Sequence, residues 1–137
     1  MRRQLLLGIS VATMVAVAGA ASAADVKVML SGSQEVPAVT TSASGNGTIT
    51  VGADKAVSGS VTTSGVSGTA AHIHMAAAGQ NGPVIVPLVK SGDNGWAVGP
   101  GAKLTDAQYD AFKAGNLYVN VHSQAHKGGE IRGQIKP

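Results

Sequence analysis

The chain has 137 residues, no cysteine, four aromatic residues and a formal net charge of +3. Without cysteine it has no disulfides and no thiolate ligands, so its fold must be held by its core. Two of the ten basic residues, Arg2 and Arg3, precede the first apolar run, and the remaining eight nearly balance seven acidic ones. Because these eight are scattered and aromatic residues are few, the composition argues against a nucleic-acid-binding protein.

Residues 1–23 have the organisation of a secretory signal peptide. A positive start is followed by an uncharged apolar run over residues 5–19 and by the small-x-small sequence Ala21-Ser22-Ala23. We expect cleavage after Ala23 and a single mature domain of residues 24–137, located in the periplasm or secreted. No second apolar run is long enough to span a bilayer, so the mature chain is predicted to have no membrane span.

The rest of the chain predicts an all-β domain, because short β-type runs alternate with Gly, Asn, Asp and Pro. Strands are expected over residues 25–32, 45–51, 56–63, 71–74, 83–89, 116–122 and 130–135, the second and third of them forming a hairpin. One short helix is predicted after Leu104. There Thr105 and Gln108 have the spacing of a capping box, and Gly115 suits the end of the helix.

All four histidines of the chain fall in two short runs, one within residues 71–74 and one within residues 119–126. If the first run is a strand, His72 and His74 share one face and Ile73 takes the other. In the second run, His122 shares its face of the predicted strand with Tyr118 and Asn120. Two strands that lie close together would therefore present three imidazoles to one point.

Imidazole ligands alone suit copper, zinc or nickel, and copper binds most tightly in the divalent series. We therefore predict a copper site formed by His72, His74 and His122, with zinc also compatible. His126 is either a fourth ligand or a loop histidine, and both interpretations stay open. Met75 offers a soft sulfur, but on a continued strand it points away from the histidines and is expected in the core.

The acidic residues give a weaker pattern than the histidines. Glu35 either orients an imidazole or ties down its own loop, and Glu130 is expected to pair with Arg132 or Lys127 at the surface. We find no serine–histidine–acid arrangement, no supported carboxylate pair and no phosphate-binding loop, so no catalytic residue is predicted.

Five segments resemble the CHRD domain, the module named after chordin and also found alone in exported bacterial proteins. They occur in the family's order at residues 30–37, 71–74, 79–84, 115–122 and 129–135, and together they extend over nearly the whole mature chain. The resemblance implies a compact β-sandwich, and it implies much less about function.

A second and weaker resemblance is to copper/zinc superoxide dismutase, an immunoglobulin-like Greek-key sandwich. His72 and His74 match its His-x-His pair, and His122 matches its later copper-binding histidine. The disulfide-tethered loop with the zinc ligands has no counterpart between Met75 and Val84, and Arg132 does not match the arginine that guides superoxide. The fold class we predict is all-β, an immunoglobulin-like or superoxide-dismutase-like Greek-key β-sandwich with one short helix.

The function predicted from the sequence is that of an exported copper-binding protein, for storage, buffering or delivery. One alternative is an enzyme resembling a copper-only superoxide dismutase. The enzyme is the weaker prediction, because no clearly placed cation would steer the anion. The other alternative is a metal-free module that binds a protein partner.

Overall fold

The structure, a computed structural model, describes residues 23–137 of the chain. The predicted signal peptide, residues 1–23, lies outside this range except for its last residue. None of the helices within residues 23–137 has the length and apolar character that crossing a bilayer requires.

The described residues form eight strands, one α-helix and one 3-10 helix. Seven of the strands were predicted, and β6 was missed because four residues after a turn carry too little alternation to indicate a strand. The strands are β1 (Ala24–Ser31), β2 (Ser44–Val51), β3 (Val57–Ser64), β4 (Gly68–Met75), β5 (Val84–Ser91), β6 (Gly95–Val98), β7 (Leu117–Ser123) and β8 (Ile131–Ile135). The α-helix, α1, spans Asp106–Lys113, and the 3-10 helix spans Gly32–Gln34.

The strands close into one antiparallel barrel in the order β1-β2-β3-β6-β5-β4-β7-β8. The all-β prediction with one short helix is confirmed, whereas the sandwich and Greek-key parts of it are not. The unpredicted β6 joins β3 to β5, and Ser31 of β1 pairs with Arg132 of β8. These pairings remove the open edges that two separate sheets would keep.

The predicted helix start is also confirmed. The Thr105 side chain accepts from the Gln108 amide, and the Gln108 side chain accepts from the Thr105 amide, which completes the capping box. Phe112 lies in the core, so packing as well as capping holds this short helix.

The barrel core is filled by one face of each strand, as in Val26, Val28 and Leu30 of β1. The neighbouring β8 has four of its five residues buried, and β7 is likewise buried on both faces, with six of its seven residues buried. The outer face of β7 lies beneath loops formed by residues 32–43, 76–83 and 124–130, which we call the covering loops. Tyr118 and Asn120 on the outer face of β7 are therefore buried, whereas His122 is partly exposed.

Candidate metal centre

The pairing of β4 with β7 brings three of the four histidines to one patch on the outside of the barrel. Residues paired across antiparallel strands project from the same face of the sheet. The pairs are His72 with Asn120, His74 with Tyr118, and Ala70 with His122. The sequence prediction that His72, His74 and His122 share a face is therefore matched by the register of the two strands.

The three imidazoles are close enough to act together. One ring nitrogen from each of His72, His74 and His122 lies within 4.8 Å of the others. The shortest separation joins His72 Nδ1 and His122 Nε2, at 3.1 Å. An ion bound to imidazole lies about 2 Å from each nitrogen. Side-chain rotations that move the ring nitrogens by about an ångström would therefore bring all three into contact with one ion.

Two of the rings are oriented by backbone carbonyls in the covering loops. His74 Nδ1 lies 2.9 Å from the Gly82 oxygen, and His122 Nδ1 lies 2.8 Å from the Lys127 oxygen. A carbonyl only accepts, so each Nδ1 carries the proton, and the Nε2 of each neutral ring keeps its lone pair. The His72 Nδ1–H then donates to His122 Nε2.

A stacked column holds His74 from the side. Its ring lies 4.7 Å from the Tyr118 ring at an interplanar angle of 4°. The Arg132 Cζ lies 3.5 Å from the centre of the Tyr118 ring, on which the guanidinium makes a cation–π contact. The Gly82 amide donates to the Tyr118 hydroxyl at 3.1 Å, so the residue whose carbonyl orients His74 also contacts Tyr118.

The prediction that Glu130 pairs with Arg132 or Lys127 at the surface is wrong. Glu130 is buried and accepts from the Thr41 and Ser123 hydroxyls at 2.8 and 2.7 Å. Arg132 is only 1% exposed and donates to the Ala77 carbonyl and the Gln134 side chain, both at 3.2 Å. The covering loops bury both residues, which the alternation of β8 alone could not indicate.

Burial favours neutral imidazoles at this site. It lowers the pKa of His72, with further lowering from His122 and His74. Burial also lowers the pKa of His74, and the Gly82 carbonyl and the Asn120 side chain oppose this in part. His72 and His74 are therefore neutral near pH 7, the form in which a ring nitrogen can bind a metal ion.

A second polar group lies buried beside the histidines. Glu35 is 6% exposed, and burial raises its pKa to about 7 against the opposing effects of Arg132 and Asn120. Asn120 is 3% exposed, and its Nδ2 makes a long contact of 3.5 Å with the Gly128 carbonyl. Glu35 is thus a buried residue beside Asn120, and its role in orienting an imidazole stays a prediction.

Three buried polar atoms lack a hydrogen-bond partner within residues 23–137: Glu35 Oε1, His74 Nε2 and Asn120 Oδ1. Buried polar atoms are nearly always paired, so three in one neighbourhood need a cause such as a bound ion or water. The alternation of β7 places Asn120 on the face of the histidines, but no role was predicted for it. That shared face was the signal that could have identified it.

The remaining predicted candidates lie apart from the three-histidine group. His126 is not part of the cluster, and its carbonyl accepts from the amides of Ser123 and Gly129 in the turn after β7. Its role as a fourth ligand therefore stays a prediction. Met75 packs against the barrel core, as predicted.

The fold and the site define a class of protein: a closed antiparallel β-barrel domain with a histidine cluster on its outer face. The family model of the CHRD domain matches residues 26–135, and the chain belongs to that family. CHRD domains occur in extracellular proteins. Comparisons with curated proteins and with solved structures gave no match.

Proposed function

We propose that this protein binds one copper ion outside the cytoplasm through His72, His74 and His122, and stores, buffers or delivers it there. The observation that supports this most is the approach of three ring nitrogens to within 4.8 Å of one another. Two of these rings have their Nδ1 protons committed to carbonyl oxygens, which leaves their Nε2 atoms as the metal-binding atoms. The Nε2 of His122 accepts from His72 Nδ1–H until an ion replaces that proton.

The donor set supports copper over other common ions. It consists of imidazoles, with no cysteine in the chain and no carboxylate in the cluster. Hard ions such as magnesium and calcium take oxygen ligands, whereas imidazole suits copper and zinc, of which copper binds more tightly. Bound copper would supply the positive charge that the imidazole lone pairs attract. The proton on His72 Nδ1 has to leave before that nitrogen can bind an ion.

Arg132 supports a carrier over a superoxide dismutase. An enzyme of that kind attracts its anionic substrate with a cation at the mouth of the site. The guanidinium of Arg132 is instead stacked on Tyr118 and almost fully buried. His72 and His122 are partly exposed while His74 is buried, so an ion could be exchanged from one side of the cluster.

The proposal is tested by titrating the metal-stripped protein with Cu(II) and Cu(I), with metal analysis and EPR of the Cu(II) form. We expect one equivalent of copper and nitrogen hyperfine coupling. The double variant His72→Ala/His74→Ala should bind more than about 100-fold more weakly, because losing even one outer-shell partner costs 10–100-fold.

The matched control is His126→Ala, which removes a histidine that lies outside the cluster. Wild-type affinity in this variant supports a three-histidine site, and a loss comparable to that of the double variant would make His126 a ligand. The proposal is overturned if the wild type takes up no stoichiometric copper, or if the double variant binds as tightly as the wild type.

A further inference from the structure

Asn120 lies beside the histidine cluster, on the outer face of β7. It is the β7 partner of His72, and on the outer face of its own strand it lies between Tyr118 and His122. It is 3% exposed, and its Oδ1 has no partner among the described residues. A buried amide oxygen without a donor costs about 1–3 kcal/mol, so its position needs a reason.

The neighbours of Asn120 fix which way its amide faces. The point where a Cβ on Gly129 would lie is 2.6 Å from Asn120 Nδ2 and 2.5 Å from Glu35 Oε1. The amide nitrogen therefore faces Glu35, and it also contacts the Gly128 carbonyl. Both neighbouring oxygens are of acceptor type, which suits the NH₂ group beside them and leaves Oδ1 as the end without a partner within residues 23–137.

Asn120 Oδ1 and His74 Nε2, two of the buried atoms without a partner in the described part of the chain, are both hydrogen-bond acceptors. With Nδ1 donating to Gly82, His74 Nε2 is a lone pair, and Asn120 Oδ1 can only accept. Two neutral acceptors cannot satisfy each other. A cation between them, either a proton on His74 Nε2 or a metal ion, satisfies both at once.

We propose that Asn120 Oδ1 is an oxygen ligand that joins the three histidines and makes the site prefer Cu(II) to Cu(I). This inference rests on the proposed copper site and specifies its ligand set. An amide oxygen is a hard donor, which favours the divalent ion, whereas the softer Cu(I) gains little from it. Glu35, on the nitrogen side of the amide, acts as a positioning residue that keeps Oδ1 directed away from itself.

The test compares Cu(II) and Cu(I) affinities of the wild type with those of Asn120→Leu and Asn120→Asp. Leucine has the branched shape of asparagine but no donor atom, and aspartate keeps the oxygen and adds charge. We expect Asn120→Leu to lose at least about tenfold in Cu(II) affinity, since removing even an outer-shell partner of a metal ligand costs about 10–100-fold, with Cu(I) affinity changed less than about threefold. Asn120→Asp should retain or raise the Cu(II) to Cu(I) ratio.

EPR of the Cu(II) forms gives a second readout, since loss of an oxygen ligand changes the g and copper hyperfine values. The inference is overturned if Asn120→Leu keeps the wild-type affinity ratio and spectrum, or if both affinities fall together, as a purely structural role predicts. Should Asn120→Leu not fold, a lowered affinity ratio in Asn120→Asp overturns the inference by itself. Failure of the copper site itself shows in the wild type, which would then bind neither ion.

Discussion

The outer faces of two strand pairs in this barrel have opposite environments. On β2 and β3 the outward residues are small and polar, and Asn46, Ser58, Ser60 and Thr62 are exposed. On β4 and β7 the outward residues include Tyr118, Asn120 and His74, all of them buried. Both pairs alternate between an apolar inner position and a polar outer one, so alternation alone does not separate them.

The difference lies in what covers each face. Water solvates the serines and threonines of β2 and β3, whereas the covering loops lie over β7 and supply the carbonyls of Gly82 and Lys127. A polar residue on the outside of a barrel is therefore solvated in one place and part of a buried network in the other. The residue types differ in part, since imidazole and phenol rings lie on the covered face whereas an asparagine occurs on both.

The largest effect on stability should come from displacing the covering loop of residues 124–130 from the buried polar side chains of Glu35 and Asn120. Gly129 has φ +123° and lies where a Cβ would meet Glu35 and Asn120 at 2.5 and 2.6 Å. We expect Gly129→Ala to lower the free energy of unfolding by about 3 kcal/mol, from backbone strain and displaced polar groups. The control is Gly128→Ala, where a Cβ would have no neighbour within 4 Å. Equal stability of the two variants in urea denaturation would contradict the conclusion that the covering loop packs tightly on a buried polar network.

A second, pH-dependent effect on the free energy of unfolding should come from Glu35. Its folded-state pKa of about 7 lies above the ordinary 4.5, so the folded protein binds this proton more tightly than the unfolded chain. The associated stability is complete below pH 4.5 and is lost as the pH rises through 7. Glu35→Gln should abolish this loss, which amounts to about 3 kcal/mol between pH 4.5 and 7.5.

Measurement of the free energy of unfolding across this range, in wild type and Glu35→Gln, isolates the carboxyl. The lowered pKa values of His72 and His74 act in the opposite direction, because these rings resist protonation and stability falls as the pH drops below about 6.5. They are present in both proteins and cancel in the difference. Parallel stability curves for the two proteins would show that Glu35 titrates as an ordinary exposed acid.

The smallest effect should be found on the solvated face. Ser60 is exposed on β3, and its substitution by alanine should change the free energy of unfolding by less than about 0.5 kcal/mol. Copper affinity should also be unchanged. A loss of 1 kcal/mol or more would mean that the outer face of β2 and β3 carries an interaction of its own.

The parts of the molecule that could be predicted from the sequence are those set by local spacing. Alternation located seven strands, Thr105 and Gln108 located the helix start, and the single residue between His72 and His74 placed both on one face. β6 and the closure of the barrel could not be predicted, because they depend on which strand edges meet. The burial of Glu35, Asn120 and Arg132 depends on loops distant in sequence, so no local pattern indicates it.

The pairing of β4 with β7 also determines when a complete site can exist. His72 and His122 are 50 residues apart in the chain, and a segment of that length loses entropy when its ends are brought together. In an unfolded chain, His72 and His74 could contact an ion only as a weak, mobile pair. Copper capture would therefore follow folding, and the ion would stabilise a barrel whose β4–β7 ladder has already formed.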